Sequence, residues 1–175
     1  MSTMPDVIEA PLTPLQLTER WRRMCVDPTF EDVPGKIELT QWGEILMSPV
    51  AMAHGVLAGE LAILLPRKLG GKVVLDVGIL TAAGIRAPDV AWCSDAFVSA
   101  HLDDTPLSSA PELCVEIASP SNVMPKLREK ASAYLAAGAT EAWIIIPATR
   151  TVEMYRAEGK VQQSVFGIQA AEIFE

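Results

Sequence analysis

The chain has 175 residues, 50% of them apolar and 21% charged, which is enough to bury one good core; the simplest expectation is one domain over residues 1–175, with residues 1–30 as an N-terminal helical extension. Its formal net charge of −8 argues against the basic surface with which most phosphate-binding proteins meet nucleic acid. The longest apolar runs, LAILLP and AWIIIP, fall far short of the roughly 20 residues of a membrane span, and no secretory signal is visible, so a soluble cytoplasmic protein with no membrane contact is expected.

In chain order, TPLQLTERWRRMC opens with Thr13 as a cap and Pro14 at the first helical position, and Leu17, Trp21 and Met24 recur at helical spacing; this predicts an amphipathic helix. Residues 27–35 read as loop. KIELTQWGEILMSP reads as a hairpin turning about Gln41–Gly43 and closed by Pro49. From Met52 to Leu69, Val56, Leu57, Leu61, Leu64 and Leu65 mark a second helix, whose last turn Pro66 is expected to distort or end. KVVLDVGIL and IRAPDVAWC read as two strands, and SDAFVSAHLDDTPLSSA as a loop with one short helical turn. PELCVEIAS is a strand that sends Leu113, Val115 and Ile117 to one face and Cys114, Glu116 and Ala118 to the other. PSNVMPKLREKASAYLAAGA is a helix stopped by Gly138, and TEAWIIIP, TVEMYRAE and KVQQSVF close the chain as strands, the last two a hairpin about Glu158 and Gly159. The pattern is an α/β layered domain on a mixed sheet flanked by helices.

Three cysteines, Cys25, Cys93 and Cys114, are odd in number, widely spaced and set among apolar residues, which suits buried thiols in a reducing compartment. Neither His54 nor His101 has a partner at zinc-ligand spacing.

The chemistry-bearing residues are carboxylates among small neighbours. Asp89 shares a strand face with Ala91 and Cys93, and Glu116 with Cys114 and Ala118, so space is left around both. On neighbouring strands the two would meet in one recess and share a divalent cation through oxygen ligands. Without a cation they would repel, and one would tend to hold a proton. The plainer reading makes Asp89 a turn cap after Pro88 and pairs Glu116 with an arginine such as Arg86. Lys130 adds weight to the first. It falls at helical spacing from Leu127 and Tyr134, on a face that should pack on the sheet, where an ammonium is costly unless it meets an anion or snorkels outward.

RAPDVAW, PELCVEIASPSN, KASAYLAAGATEAWIIIP and the earlier IELTQWGEILMSP with its following histidine resemble the Uma-two type family, a group of unknown function placed in the PD-(D/E)XK restriction-endonuclease-like superfamily. The likeness covers Lys36 to Arg156. It implies a restriction-endonuclease-like fold and a Mg²⁺- or Mn²⁺-dependent nuclease acting on DNA, with Asp89 and Glu116 as metal ligands. Where the superfamily has a lysine two residues after the second acid, this chain has Ala118, and the resemblance implies that Lys130 takes its place. Lys126 and Ile146 stand where similar sequences often carry acids.

The chemistry implied is phosphodiester hydrolysis, in which the cation activates a water and offsets phosphate charge, while Lys130 orients that water or meets the phosphate. Glu44, at the start of a strand, and His54, at the start of a helix, are candidates for an outer shell around the metal; the plainer reading of His54 is a cap or surface group. Glu60 reads as solvated. Ser119 and Ser121 form no nucleophile elbow. Arg20, Arg22, Arg23, Lys126 and Arg128 read as solvated helix faces, and Trp92 and Trp143 as core or dimer-contact residues. With those tryptophans and a mean hydropathy of +0.26, a homodimer is expected. The rival to a nuclease is a non-catalytic homodimeric binding or scaffold protein that keeps the fold.

Overall fold

The structure, a computed structural model, describes residues 10–31, 33 and 35–175; the first nine residues of the expected N-terminal extension, and positions 32 and 34 of the expected loop, lie outside the described residues. Helix α1 (Pro14–Val26) begins with a reciprocal capping box between Thr13 and Gln16. Its Leu17 is buried against Leu39 and Ile85, with Trp21 and Met24 packed beside them, as the spacing predicts.

Two sheets form the body of the protein. The smaller is antiparallel, with β1 (Lys36–Thr40), β2 (Ile45–Ser48), β4 (Ile79–Thr81) and β5 (Gly84–Arg86) in the order β2-β1-β5-β4, and α1 packs on it. The larger has six strands, β3 (Lys72–Val74), β6 (Val90–Cys93), β7 (Leu113–Ile117), β8 (Glu141–Ile146), β9 (Thr151–Arg156) and β10 (Gly159–Val161), ordered β10-β9-β8-β7-β6-β3. Its one parallel pair is β7 with β8, and α4 (Met124–Ala136) supplies the crossover such a pair requires. Leu127 and Ala131 of α4 pack on Ala142 and Ile144. On the opposite face, α2 (Met52–Leu69) and α5 (Ala170–Ile173) cover Leu113, Val115, Ile117, Trp143 and Ile145.

Several elements depart from expectation. KVVLDVGIL and IRAPDVAWC each split in two. Asp76 adopts a left-handed φ of 51°, which turns the chain between β3 in the large sheet and β4 in the small one. Pro88, which has no N–H to give a ladder, marks the return from β5 to β6. Gly84, at φ +112°, has no room for a side chain, since a Cβ would lie 2.2 Å from the Leu39 carbonyl oxygen. Pro66 does not end α2, which runs three residues further to Leu69. The expected single helical turn after β6 is a seven-residue helix, α3 (Asp95–His101), capped by Ser94, and the short C-terminal α5 was not foreseen. Cys93 and Cys114 are buried free thiols, whereas Cys25 is exposed. Trp92 and Trp143 are both core residues, so neither supports a dimer contact. Among the described residues, no helix is long and apolar enough to cross a membrane.

Candidate active site at the seam between the sheets

Residues 87–89 carry the chain from the small sheet to the large one, and this crossing explains why an acid precedes a buried strand. Strand β6 pairs antiparallel with β7 in the register Val90↔Val115, so one step further Asp89 comes opposite Glu116. The crossing is pinned at three points. The Ala87 N–H donates to Glu38 Oε1 at 2.7 Å, the Ile117 N–H donates to Asp89 Oδ2 at 2.6 Å, and Lys130 Nζ lies 3.5 Å from the Ala87 carbonyl oxygen.

Asp89 and Glu116 are buried, and they converge on one cation of the protein's own. The Lys36 ammonium is bonded to Asp89 Oδ1 and lies 3.4 Å from Glu116 Oε2. Lys130 approaches from α4, 2.7 Å from Glu116 Oε1 and 3.0 Å from Glu38 Oε1. One turn on, the Tyr134 hydroxyl donates to Glu116 Oε1 at 2.6 Å. His54, near the start of α2, places Nε2 3.4 Å from Asp89 Oδ1. Three carboxylates are thus held by two ammonium groups and a tyrosine, as buried charges require.

The electrostatics follow from this packing. Burial alone would raise the Asp89 carboxyl, but His54, the Lys36 charge and the Ile117 N–H bring it down to about 2. Complete burial outweighs the two lysines at Glu116 and leaves its carboxyl above the usual range. At Lys36 the order is reversed: burial would lower it, but the charges of Glu116 and Asp89 carry it above an ordinary lysine. The contact with Asp89 raises His54.

The structure brings together Asp89, Glu116, Lys130 and His54. It does not bring Glu44 to them. That residue is exposed in the β1–β2 turn, where its carboxylate meets Thr40 Oγ1 at 3.3 Å, and Glu38 occupies the inner position instead. The reason is alternation along KIELT, which turns Ile37 and Leu39 away from the side where Lys36 and Glu38 are buried among the acids. Arg86 lines the same recess but is not the partner of Glu116, which takes Lys36, Lys130 and Tyr134. Glu60 is exposed, as expected. Lys36, Glu38 and Tyr134 join this cluster without having been expected from sequence, although the alternation of KIELT and the i,i+4 spacing from Lys130 to Tyr134 carry the signal.

The carboxylates lie at the base of an open recess of about 750 Å³ whose wall includes Arg86, Lys126, Ser119, Ser121 and Asn122. Its lining sets Lys36, Arg86, Lys126 and Lys130 against Glu38, Asp89, Glu116 and Glu129, so the recess is formally neutral where the chain as a whole is net −8.

The family model of Uma2, described as "Putative restriction endonuclease", matches residues 20–173. A solved structure from Anabaena variabilis ATCC 29413, described as "a putative nuclease belonging to DUF820", is 16% identical with a TM-score of 0.67, and the match covers 94% of this chain and 98% of that one. No curated protein matches. The structural likeness carries the fold, which is the restriction-endonuclease-like α/β class expected from sequence.

Proposed function

We propose, for a chain that belongs to the Uma2 restriction-endonuclease family, that it hydrolyses phosphodiester bonds in DNA with the help of Mg²⁺ or Mn²⁺ held by Asp89 and Glu116. One observation carries the reading: Asp89 Oδ1 and Glu116 Oε2 both face a single positive charge, the Lys36 ammonium. Two carboxylate oxygens around one point charge are a donor set that suits a hard divalent cation, with waters completing the shell. Among the described residues no group of three or more His, Cys, Asp or Glu is arranged to hold a metal ion, so the proposed protein ligands are these two acids. When bound, the cation would supply an activated water and charge stabilisation at the phosphate.

The remaining work falls to the protein. Lys130, fixed by Glu116 and Glu38, presents an ammonium beside the carboxylates, where it orients the attacking water or offsets developing phosphate charge. Tyr134 and Glu38 are positioning residues: the first holds Glu116, and the second holds both Lys130 and the backbone just before Asp89. His54 steadies Asp89 from the outer side. The recess lining is formally neutral on a chain of net charge −8, so a DNA backbone meets less repulsion there than on the surface at large. The three free cysteines agree with the cytoplasm as its compartment.

The second reading is a non-catalytic homodimeric binding or scaffold protein. It is favoured by the net charge and by the ion pairs that both carboxylates already make with Lys36. Nicking of plasmid, branched and single-stranded DNA at low salt, with and without Mg²⁺ or Mn²⁺, tests the first reading. Metal-dependent nicking that Glu116→Gln abolishes supports it, whereas metal binding with no cleavage of any of these substrates gives the ground to the second.

A further inference from the structure

Lys36 has no role in the proposed hydrolysis, yet it is the most confined cation in the site. It is buried, it bridges Asp89 and Glu116, and its ammonium stands on the two carboxylate oxygens that a divalent ion would take. Two cations cannot share that position. Lys36 also borders a second cavity of about 520 Å³, lined among the described residues by Trp21, Met24, Phe30 and Asp76. Asp76 is half-buried there in its left-handed turn, and its carboxyl, raised by burial, feels the Lys36 charge more than any other. Lys36 and Asp76 therefore border the same cavity, and Asp76 is the anion on that side.

We infer that Lys36 is a resident counter-ion of the metal site, which leaves Asp89 and Glu116 for the Asp76 side when a divalent cation binds. The inference rests on the metal-dependent reading above. In the free protein the ammonium stands between two opposed, buried carboxylates whose like charges would otherwise repel. Metal affinity is then set by competition: the ion must outbid an ammonium already present, and only the difference between the two appears as binding. A long side chain with a flexible stem and a compact charge suits this exchange, and a guanidinium does not.

The test is calorimetric titration with Mn²⁺ of the unmodified protein and of Lys36→Met, Lys36→Arg and Asp76→Asn. Removal of the competing charge in Lys36→Met is expected to tighten Mn²⁺ binding by about tenfold or more. Lys36→Arg keeps the charge and is expected to show no such gain, and Asp76→Asn, which removes the receiving anion, is expected to bind Mn²⁺ several-fold more weakly than the parent. A second measurement needs no variant: acylation of amines in the unmodified protein, read by peptide mass spectrometry with the exposed Lys72 as reference. Lys36 is expected to be protected without metal and to react at saturating Mn²⁺. If the parent binds Mn²⁺ but Lys36→Met binds no tighter and Lys36 stays protected, the exchange is wrong while the metal reading stands. If Lys36→Met does not fold, the acylation result alone decides. If neither the parent nor any variant binds Mn²⁺, the metal reading falls and the exchange with it.

Discussion

Lys130 and Glu116 meet directly, Nζ to Oε1 at 2.7 Å, across the packing of α4 on β7. The lysine that the resemblance moves from the strand to the next helix thus reaches the acid beside which a strand lysine would have stood. The two halves of the proposed catalytic group arrive on different elements.

Lys130→Met removes that charge while keeping the length of the side chain. Cleavage is expected to fall on the order of a hundredfold, with Mn²⁺ binding retained. Lys126→Met, an exposed charge on the same recess wall, is expected to cost far less. Equal losses in a nicking assay would remove the special role of Lys130.

Glu116→Gln keeps the shape of the group but takes one formal charge from the pair. Both Mn²⁺ affinity in calorimetry and metal-dependent nicking should drop together. Unchanged affinity would show that the cation is held elsewhere.

Tyr134→Phe deletes only the hydroxyl that donates to Glu116 in a fully buried setting. A lost bond to a buried charged acceptor costs about 2 kcal/mol, to be read as a lower denaturation midpoint at unchanged slope. Because Tyr134 positions a proposed ligand, Mn²⁺ affinity should weaken as well, which a purely structural tyrosine would not cause.

Glu153 sets part of the acid stability, away from the site. Arg128 grips its carboxylate with two bonds of 2.9 and 3.0 Å, and with Tyr155 and Lys160 holds its pKa at about 2 against an ordinary 4.5. A depressed acid stabilises the fold above its unfolded pKa, and that contribution is lost as pH falls from about 4.5 towards 2. Glu153→Gln should therefore be less stable than the parent at neutral pH and lose less on acidification through this window. Parallel thermal-melt curves for the two proteins would contradict it.

The homodimer expected from sequence loses its basis, since Trp92 and Trp143 are core. Helix α2 offers another: Met52, Val56 and Ile63 are 86%, 52% and 70% exposed and, with Gly59, form a four-three-four stripe suited to another helix. We propose that two copies pack along it. Sedimentation at micromolar concentration should give a dimer that Val56→Lys with Ile63→Lys converts to monomer, and a monomeric parent would end the idea.

The sequence by itself determined the three long helices and most of the strands. The bounds of α2 follow from apolar spacing, and the start of α1 from the Thr13 cap and Pro14. The alternation in LCVEI separates Leu113, Val115 and Ile117 from Glu116, and small neighbours mark Asp89 and Glu116 as acids with space around them. Tertiary structure decided the rest of the site. KIELT shows a polar face, and nothing local says whether that face meets water or a buried acid; Lys36 finds Asp89 and Glu116 at separations of 53 and 80 residues. The sequence points to Glu44 and not to Glu38, and only the pairing of β1 with β5 turns Glu38 to the Ala87 backbone while leaving Glu44 in solvent. Local pattern records which residues share a face, whereas the cost of burying a charge is met by partners that only the folded chain brings within reach.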